Sequence, residues 1–233
     1  MTATALLLPR ATVRVATLPG VFRPRSDALL LAAVMRERGL ARDARVLDLF
    51  TGSGVLAVAA ALEGARRVTA VDLSRRAVLS ARLNALRNGV GDRLRSVRGD
   101  LFAPVDGERF ELIVANPPYL PGDDEPPATG AARAWEGGRD GRLLVDRLCD
   151  GARERLAPGG ALLLVQSSLT GEAETLDRLA AGGLPARVLA RRRGPLGPLA
   201  RARAERLRAQ GRLAPGSDEE ELLVVLARRE GER

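Results

Sequence analysis

Asn116-Pro117-Pro118-Tyr119 is the segment of this chain with the most specific chemistry. Two consecutive prolines restrict the backbone on both sides of the first peptide bond. The Asn116 side-chain oxygen and the Pro117 carbonyl can therefore face one point. Two converging acceptors suit a planar NH₂ group, because each takes one N–H and the nitrogen lone pair is left to point elsewhere. Tyr119 adds an aromatic face on which a planar group can stack. The chemistry allowed is attack by a delocalised nitrogen, an amide or an exocyclic amine, on an electrophilic carbon. Orientation and preorganised acceptors drive it, and no strong base is required. That agrees with a sequence containing no histidine, which removes the Ser-His-Asp mechanism and most zinc sites. The single cysteine, Cys149, excludes an internal disulfide and a cysteine-based metal cluster and reads as core packing. No metal site is expected.

A second constellation lies upstream. Asp48-Leu49-Phe50-Thr51-Gly52-Ser53-Gly54 follows a short apolar run, where glycines allow a sharp turn and the next helix offers free N–H groups. Asp72 closes the next apolar run, placed to accept hydrogen bonds from two ribose hydroxyls. Asp100, followed by Leu101, closes a third and suits an adenine amino group. Gly52-Ser53-Gly54-Val55-Leu56-Ala57 also satisfies the dinucleotide pattern G-x-G-x-x-G/A, so an NAD-binding module is a rival. Asp48 decides against it: a carboxylate there suits the cationic amino group of a methionine moiety and would repel a pyrophosphate. Any one of these acids could be a helix cap or turn carboxylate. Three in succession fit a nucleoside bearing a positive sulfonium, S-adenosylmethionine.

These residues must be held at strand ends, and the pattern supplies the strands. Apolar runs are expected as strands at 45–49, 67–71, 94–98, 111–115, 160–166, 186–191 and 221–227, with helices at 55–63, 75–88, 143–156 and 170–181. Strands alternating with helices imply an α/β fold, with a mostly parallel seven-stranded sheet and helices on both faces. Residues 1–44 are expected as an extension, with a strand near 13–16 and a helix over 27–38, packing on a single domain over 45–233. Two loops interrupt the rhythm, 120–141 and the Arg-rich insert 191–216, the latter expected to hold one helix between Pro198 and Gly211.

The 233 residues suit one sizeable domain, with a core built of Leu, Val and Ala because aromatic residues are only 3%. The net charge of +8 comes entirely from arginine, with no lysine present, and reads as an Arg-coated surface. The run Arg191-Arg192-Arg193, with Arg201, Arg203, Arg206 and Arg208, lacks the interleaved aromatics that stack on bases and reads as solvated. Asp123-Asp124-Glu125 likewise reads as a solvated loop. No apolar stretch is long enough to span a membrane, and Leu6-Leu7-Leu8 is too short for a signal peptide, so a cytoplasmic location is expected.

The order of these elements resembles class I methyltransferases, and specifically the HemK/PrmC-type protein-glutamine methyltransferases in a short, HemK-related form. Pro24-Arg25-Ser26-Asp27, Asp48 to Gly54, Asp72, Asp100, Asn116 to Tyr119, and Trp135-Glu136-Gly137-Gly138-Arg139-Asp140-Gly141-Arg142 carry the resemblance. It implies a Rossmann-like fold and S-adenosylmethionine held by Asp48, Thr51, Gly52, Gly54, Asp72, Asp100, Leu101 and Asn116. It also implies a glutamine amide held by Asn116, Pro117 and Tyr119, with Pro118, Trp135 and Arg25 on the substrate side. Family members methylate the Gly-Gly-Gln loop of peptide-chain release factors, which makes a release factor the expected partner; whether a small activator subunit also covers an apolar edge is left open by the sequence. Trp135 is read either as part of a substrate lid or as an anchor of its loop. Three departures stand out: Phe50 replaces the usual first glycine of the cofactor loop, Ala28 replaces a hydroxyl-bearing residue, and 44 residues are too few for the N-terminal helical domain of the longer bacterial members. An exocyclic amine of adenine in DNA or RNA, or of a small molecule, is the alternative acceptor. A noncatalytic Rossmann module is the alternative without chemistry.

Overall fold

Successive side chains along the central strands point to opposite faces, and both faces here are apolar, so each needs its own cover. The computed structural model, which describes residues 2–8, 11–122 and 137–231, meets that need with one seven-stranded sheet between two helix layers. In chain order the elements are β1 (Thr2–Leu8), β2 (Ala11–Thr17), α1 (Ser26–Glu37), β3 (Arg45–Leu49), α2 (Val55–Leu62), β4 (Arg67–Asp72), α3 (Arg75–Arg87), β5 (Leu94–Arg98) and β6 (Phe110–Ala115). They continue with α4 (Leu143–Arg155), β7 (Leu156–Ser167), α5 (Glu172–Ala181), β8 (Ala186–Pro195), α6 (Pro198–Arg201), α7 (Ala204–Ala209) and β9 (Glu219–Arg228).

The sheet order is β5-β4-β3-β6-β7-β9-β8, and β9 alone within it runs antiparallel to its neighbours. Val46, Val68, Leu112, Val114 and Leu163 turn toward α1 and α2, while Leu47, Leu49, Ile113, Leu162 and Leu164 turn toward α4 and α5. Helix α2, Val-Leu-Ala-Val-Ala-Ala-Ala-Leu, is buried nearly all round, and its alanines let it lie close against the sheet. The chain steps outward from β3 to β4 to β5, then returns to the other side of β3 to form β6. That reversal opens a crevice at the carboxyl ends of β3 and β6, where open α/β sheets bind ligands.

Three expectations need correction. The single strand near 13–16 is the second arm of an antiparallel hairpin in which Thr2 lies opposite Thr17; in the first arm the short Thr-Ala alternation breaks off at three consecutive leucines, too brief to mark a strand. Asn84 and Asn88 hold that hairpin on α3, each accepting from and donating to the β2 backbone, at Ala16 and Arg14 respectively, over 2.8–2.9 Å. They lie one turn apart on the helix and present amides as a neighbouring strand would. The insert holds two short helices rather than one, broken at Ala202–Arg203, and β8 runs on to Pro195. Leu196, Ala200, Ala204, Leu207 and Leu213 pack with Leu120 and Leu169 into a small third core. Finally, β7 begins at Leu156, before the Pro158-Gly159 pair expected to separate helix from strand.

Candidate active site

A cavity of about 1080 Å³ occupies the crevice. Its floor comes from the ends of β3, β4, β5 and β6, and its far wall from Arg192–Ala200 and Glu220. Thr51, Gly52, Asp72, Asp100, Leu101, Asn116, Pro117, Pro118, Tyr119 and Arg25 all line it, so the structure brings together most of the residues singled out by type and spacing. Trp135 and Asp123-Asp124-Glu125 lie outside the described residues.

Two expected cofactor contacts are placed elsewhere. Asp48 is fully buried and does not line the cavity. Its Oδ2 accepts from the Thr51 hydroxyl at 2.5 Å and from the Ala57 N–H at 3.0 Å, so it braces the turn and caps α2 from outside the helix. Burial pushes its carboxyl up to about 7, partly offset by those two hydrogen bonds and reinforced by the charge of Asp72. Its Oδ1 is buried with no hydrogen-bond partner among the described residues. Gly54 also stands back from the cavity. At φ 80° it faces α3, and a Cβ there would lie 2.7 Å from Ala81 Cα and Cβ, so this glycine permits helix packing rather than ligand approach.

Asp72 and Asp100 both line the cavity. Asp72 Oδ2 accepts from the Gly52 N–H at 2.9 Å and Oδ1 from the Ser74 N–H at 2.8 Å, which ties the end of β4 to the glycine turn. Asp100 is half exposed and paired with Arg147 at 2.7 Å, a partner the sequence did not announce. Phe50 and Leu101 both line the cavity with left-handed backbones, φ 59° and 49°. Side chains rarely adopt this conformation, which costs roughly 1–3 kcal/mol at such positions and gathers where a site requires it. Phe50 thus holds a turn conformation that glycine adopts without steric cost. Asp72 and Asp100 thus bring two carboxyl groups to this side of the cavity, with Asp48 buried behind the turn.

At the other end, Asn116 is half-buried and its side chain makes no hydrogen bond among the described residues. Tyr119 donates its hydroxyl to Asp27 Oδ2 at 3.0 Å. Burial first, then the nearby charges of Asp27 and Glu220, hold its phenol well above the usual value, opposed by Arg25. The glycine-rich stretch that begins at Gly137 clamps this turn from behind. Gly137 N–H donates to Leu120 O at 3.0 Å, and Gly122 N–H to Gly138 O at 2.8 Å. A Cβ on Gly137 would meet Pro118 O at 2.7 Å, and one on Gly141 would overlap Tyr119 O. Arg142, buried, donates to Thr170 O, Gly171 O and Thr175 Oγ1 and pairs with Asp146 at 2.6 Å, which anchors the clamp to α4 and α5. Asp27, Arg147 and Glu220 are the residues that sequence reasoning missed. Asp27 falls in the Pro24–Asp27 segment and carried a signal there; the other two had none.

Fold and site together define a class I methyltransferase, and S-adenosylmethionine is the methyl donor of that class. The methyltransferase small domain model matches residues 12–132, and the chain belongs to that family. A relative from Methanocaldococcus jannaschii, named for protein N5-glutamine methyltransferase activity, is 35% identical over 81% of this chain and 93% of its own length. A release factor glutamine methyltransferase from Gloeobacter violaceus is 38% identical over 68% of this chain, which spans 57% of that relative's length. Among solved structures, the Mtq2–Trm112 complex of E. cuniculi, described as responsible for methylating the termination factor eRF1, matches with a TM-score of 0.62 and 24% identity over 91% of this chain and 99% of that one. Among the described residues, no helix is long and apolar enough to cross a membrane.

Proposed function

We propose that this enzyme methylates the side-chain amide nitrogen of a protein glutamine, in the Gly-Gly-Gln loop of a peptide-chain release factor. The observation that carries the reading is the meeting of two ends in one cavity: Asn116, Pro117 and Tyr119 on one side, and Thr51, Gly52, Asp72, Asp100 and Leu101 on the other. In this reading Asp72 accepts from the ribose hydroxyls and Asp100 from the adenine amino group. Asp48, buried behind the turn, holds Thr51 and Ala57 in place and keeps an Oδ1 without a hydrogen-bond partner among the described residues. S-adenosylmethionine supplies an electrophilic methyl group on its sulfonium. Asn116 Oδ1 and the Pro117 carbonyl each accept one amide N–H, which fixes the nitrogen and aims its lone pair away from the two acceptors. Tyr119 stacks on the amide plane, Pro118 shapes the turn, and Arg25 lies on the substrate side. Tyr119, held protonated, is no base, and the arrangement asks for none.

The names of the relatives favour a glutamine over a nucleobase amine as acceptor. A translation factor as substrate places the activity in the cytoplasm. We also propose a small activator subunit, as in the complex from E. cuniculi; Leu79 and Leu86, 48% and 63% exposed on one side of α3, offer apolar surface to it. Incubating the enzyme with labelled S-adenosylmethionine and either release factors or nucleic acid, then locating the label by mass spectrometry, tests the substrate. Label on the glutamine of the Gly-Gly-Gln loop is expected. Label on nucleic acid alone would overturn the glutamine reading.

A further inference from the structure

Tyr119 does not stand on the turn unaided. Its hydroxyl hydrogen is donated to Asp27 Oδ2 across 92 residues of sequence, and Asp27 is only 7% exposed. Asp27 in turn is fixed in the first turn of α1, where its Oδ1 accepts the N–H of Ala28 at 2.7 Å. A carboxylate in that place is favoured by the positive end of the helix. Helix α1 is itself seated by Leu31, Ala32 and Met35 in the main core. The chain of support thus runs from core to helix, from helix to carboxylate, and from carboxylate to phenol.

We infer that Asp27 is a positioning residue for methyl transfer, holding the Tyr119 ring against the acceptor amide and committing its hydroxyl hydrogen away from the reacting nitrogen. A tyrosine tethered only by its backbone has two side-chain torsions to settle, and an ordered ring is what a stacking face requires. A phenol hydrogen given to Asp27 is also not available to occupy the nucleophile's lone pair. The inference rests on the reading of the Asn-Pro-Pro-Tyr turn as the acceptor site. The charged groups around the phenol are Asp27, Glu220 and Arg25, the two acids opposing its ionisation and the arginine favouring it.

Tyr119 is the only tyrosine in the chain, so ultraviolet difference titration reads its ionisation without any substrate. In wild type the tyrosinate band should be absent well above pH ~10, the ordinary range. In Asp27→Asn, which keeps shape but removes the charge, it should appear at distinctly lower pH. Identical curves would show that Asp27 does not act on Tyr119 and would end the proposal, whatever the true acceptor is. Kinetics form the second arm, measured on the acceptor found by labelling. Asp27→Ala and Tyr119→Phe should each lower kcat about tenfold, the scale of one hydrogen bond to a charged group. The double variant should be no slower than either single one, with KM for S-adenosylmethionine unchanged, and Asp27→Asn should recover most of kcat. Multiplying losses in the double variant would overturn the inference. Label on a nucleobase instead of glutamine would refute the substrate reading while leaving both arms measurable.

Discussion

The two ends of the cavity are built in opposite ways. The donor end is serial: β3, β4 and β5 each deliver one acid at or just beyond the strand end, and Asp48, Asp72 and Asp100 follow one another in chain order. The acceptor end is convergent: the turn after β6 is held by Asp27 from α1, by Gly137, Gly141 and Arg142 from beyond the loop, and faces the insert and Glu220. Parallel strands repeat one arrangement, a carboxyl group at or near each strand end. A site for a particular acceptor has to be assembled from whatever segments reach it. Damage at the acceptor end should therefore spread through its supports, whereas damage at the donor end should stay local.

Arg142 is the sharpest test of that convergence. Its guanidinium is buried and meets two carbonyls, one hydroxyl and the Asp146 carboxylate. Arg142→Met removes all of them and takes away the donor to the buried Thr170 carbonyl, while Gly171, Thr175 and Asp146 keep their bonds to Gln166 and Arg178; losing one partner of a buried pair costs roughly 3–5 kcal/mol at most. Thermal unfolding should show that loss, and turnover should fall further than stability alone explains, because Gly141 packs on the Tyr119 carbonyl. Unchanged stability would mean that the clamp is not an anchor.

Asn116→Ala should raise the barrier by roughly 2–4 kcal/mol, the range of one preorganised polar contact. Steady-state kinetics should show this in kcat, while calorimetry finds S-adenosylmethionine binding only modestly weaker. Wild-type turnover would sink the proposed orientation of the amide.

The same contrast explains what was legible beforehand. The sheet, its helices and the donor acids were readable because each rests on a local pattern: an apolar run, a glycine turn, an acid at a strand end. The Asn116–Tyr119 turn was readable because prolines fix their own backbone. Asp48 and Gly54 stand behind the cavity wall rather than on it, since spacing puts a residue at a strand end without saying which side of the turn it faces. Glu220 and Arg147 could not be seen at all. Each meets the site only through tertiary packing, Glu220 from the antiparallel β9 and Arg147 from α4 across to Asp100.

Asp48 gives the donor end a pH signature. Its carboxyl rises from 3.8 to about 7 on folding, so the protonated form is the one the fold prefers. Stability from this group is full below pH ~3.9 and is lost as pH climbs through about 7. The slope approaches about 1.4 kcal/mol per pH unit between those limits. Asp48→Asn should flatten this part of the profile, measured as unfolding free energy against pH. Saturating S-adenosylmethionine should flatten it in wild type as well if a cation of the ligand approaches Oδ1. A slope that persists with ligand bound would confine Asp48 to bracing the turn.

Arg147 carries the smallest expected effect, and for that reason it separates the two ends most cleanly. Its pair with Asp100 is close, at 2.7 Å, but both side chains are about half exposed, 48% and 49%. Water screens such a pair, and exposed ion pairs contribute about 0.2–1 kcal/mol. Arg147→Ala should leave unfolding within that margin. It should change S-adenosylmethionine affinity by no more than about fivefold, with the difference shrinking as salt is raised. Turnover at saturating cofactor should not move, because nothing in the pair reaches the Asn116 turn. A fall in kcat instead would mean that Arg147 couples the two ends of the cavity, and the serial end would then be no more independent than the convergent one.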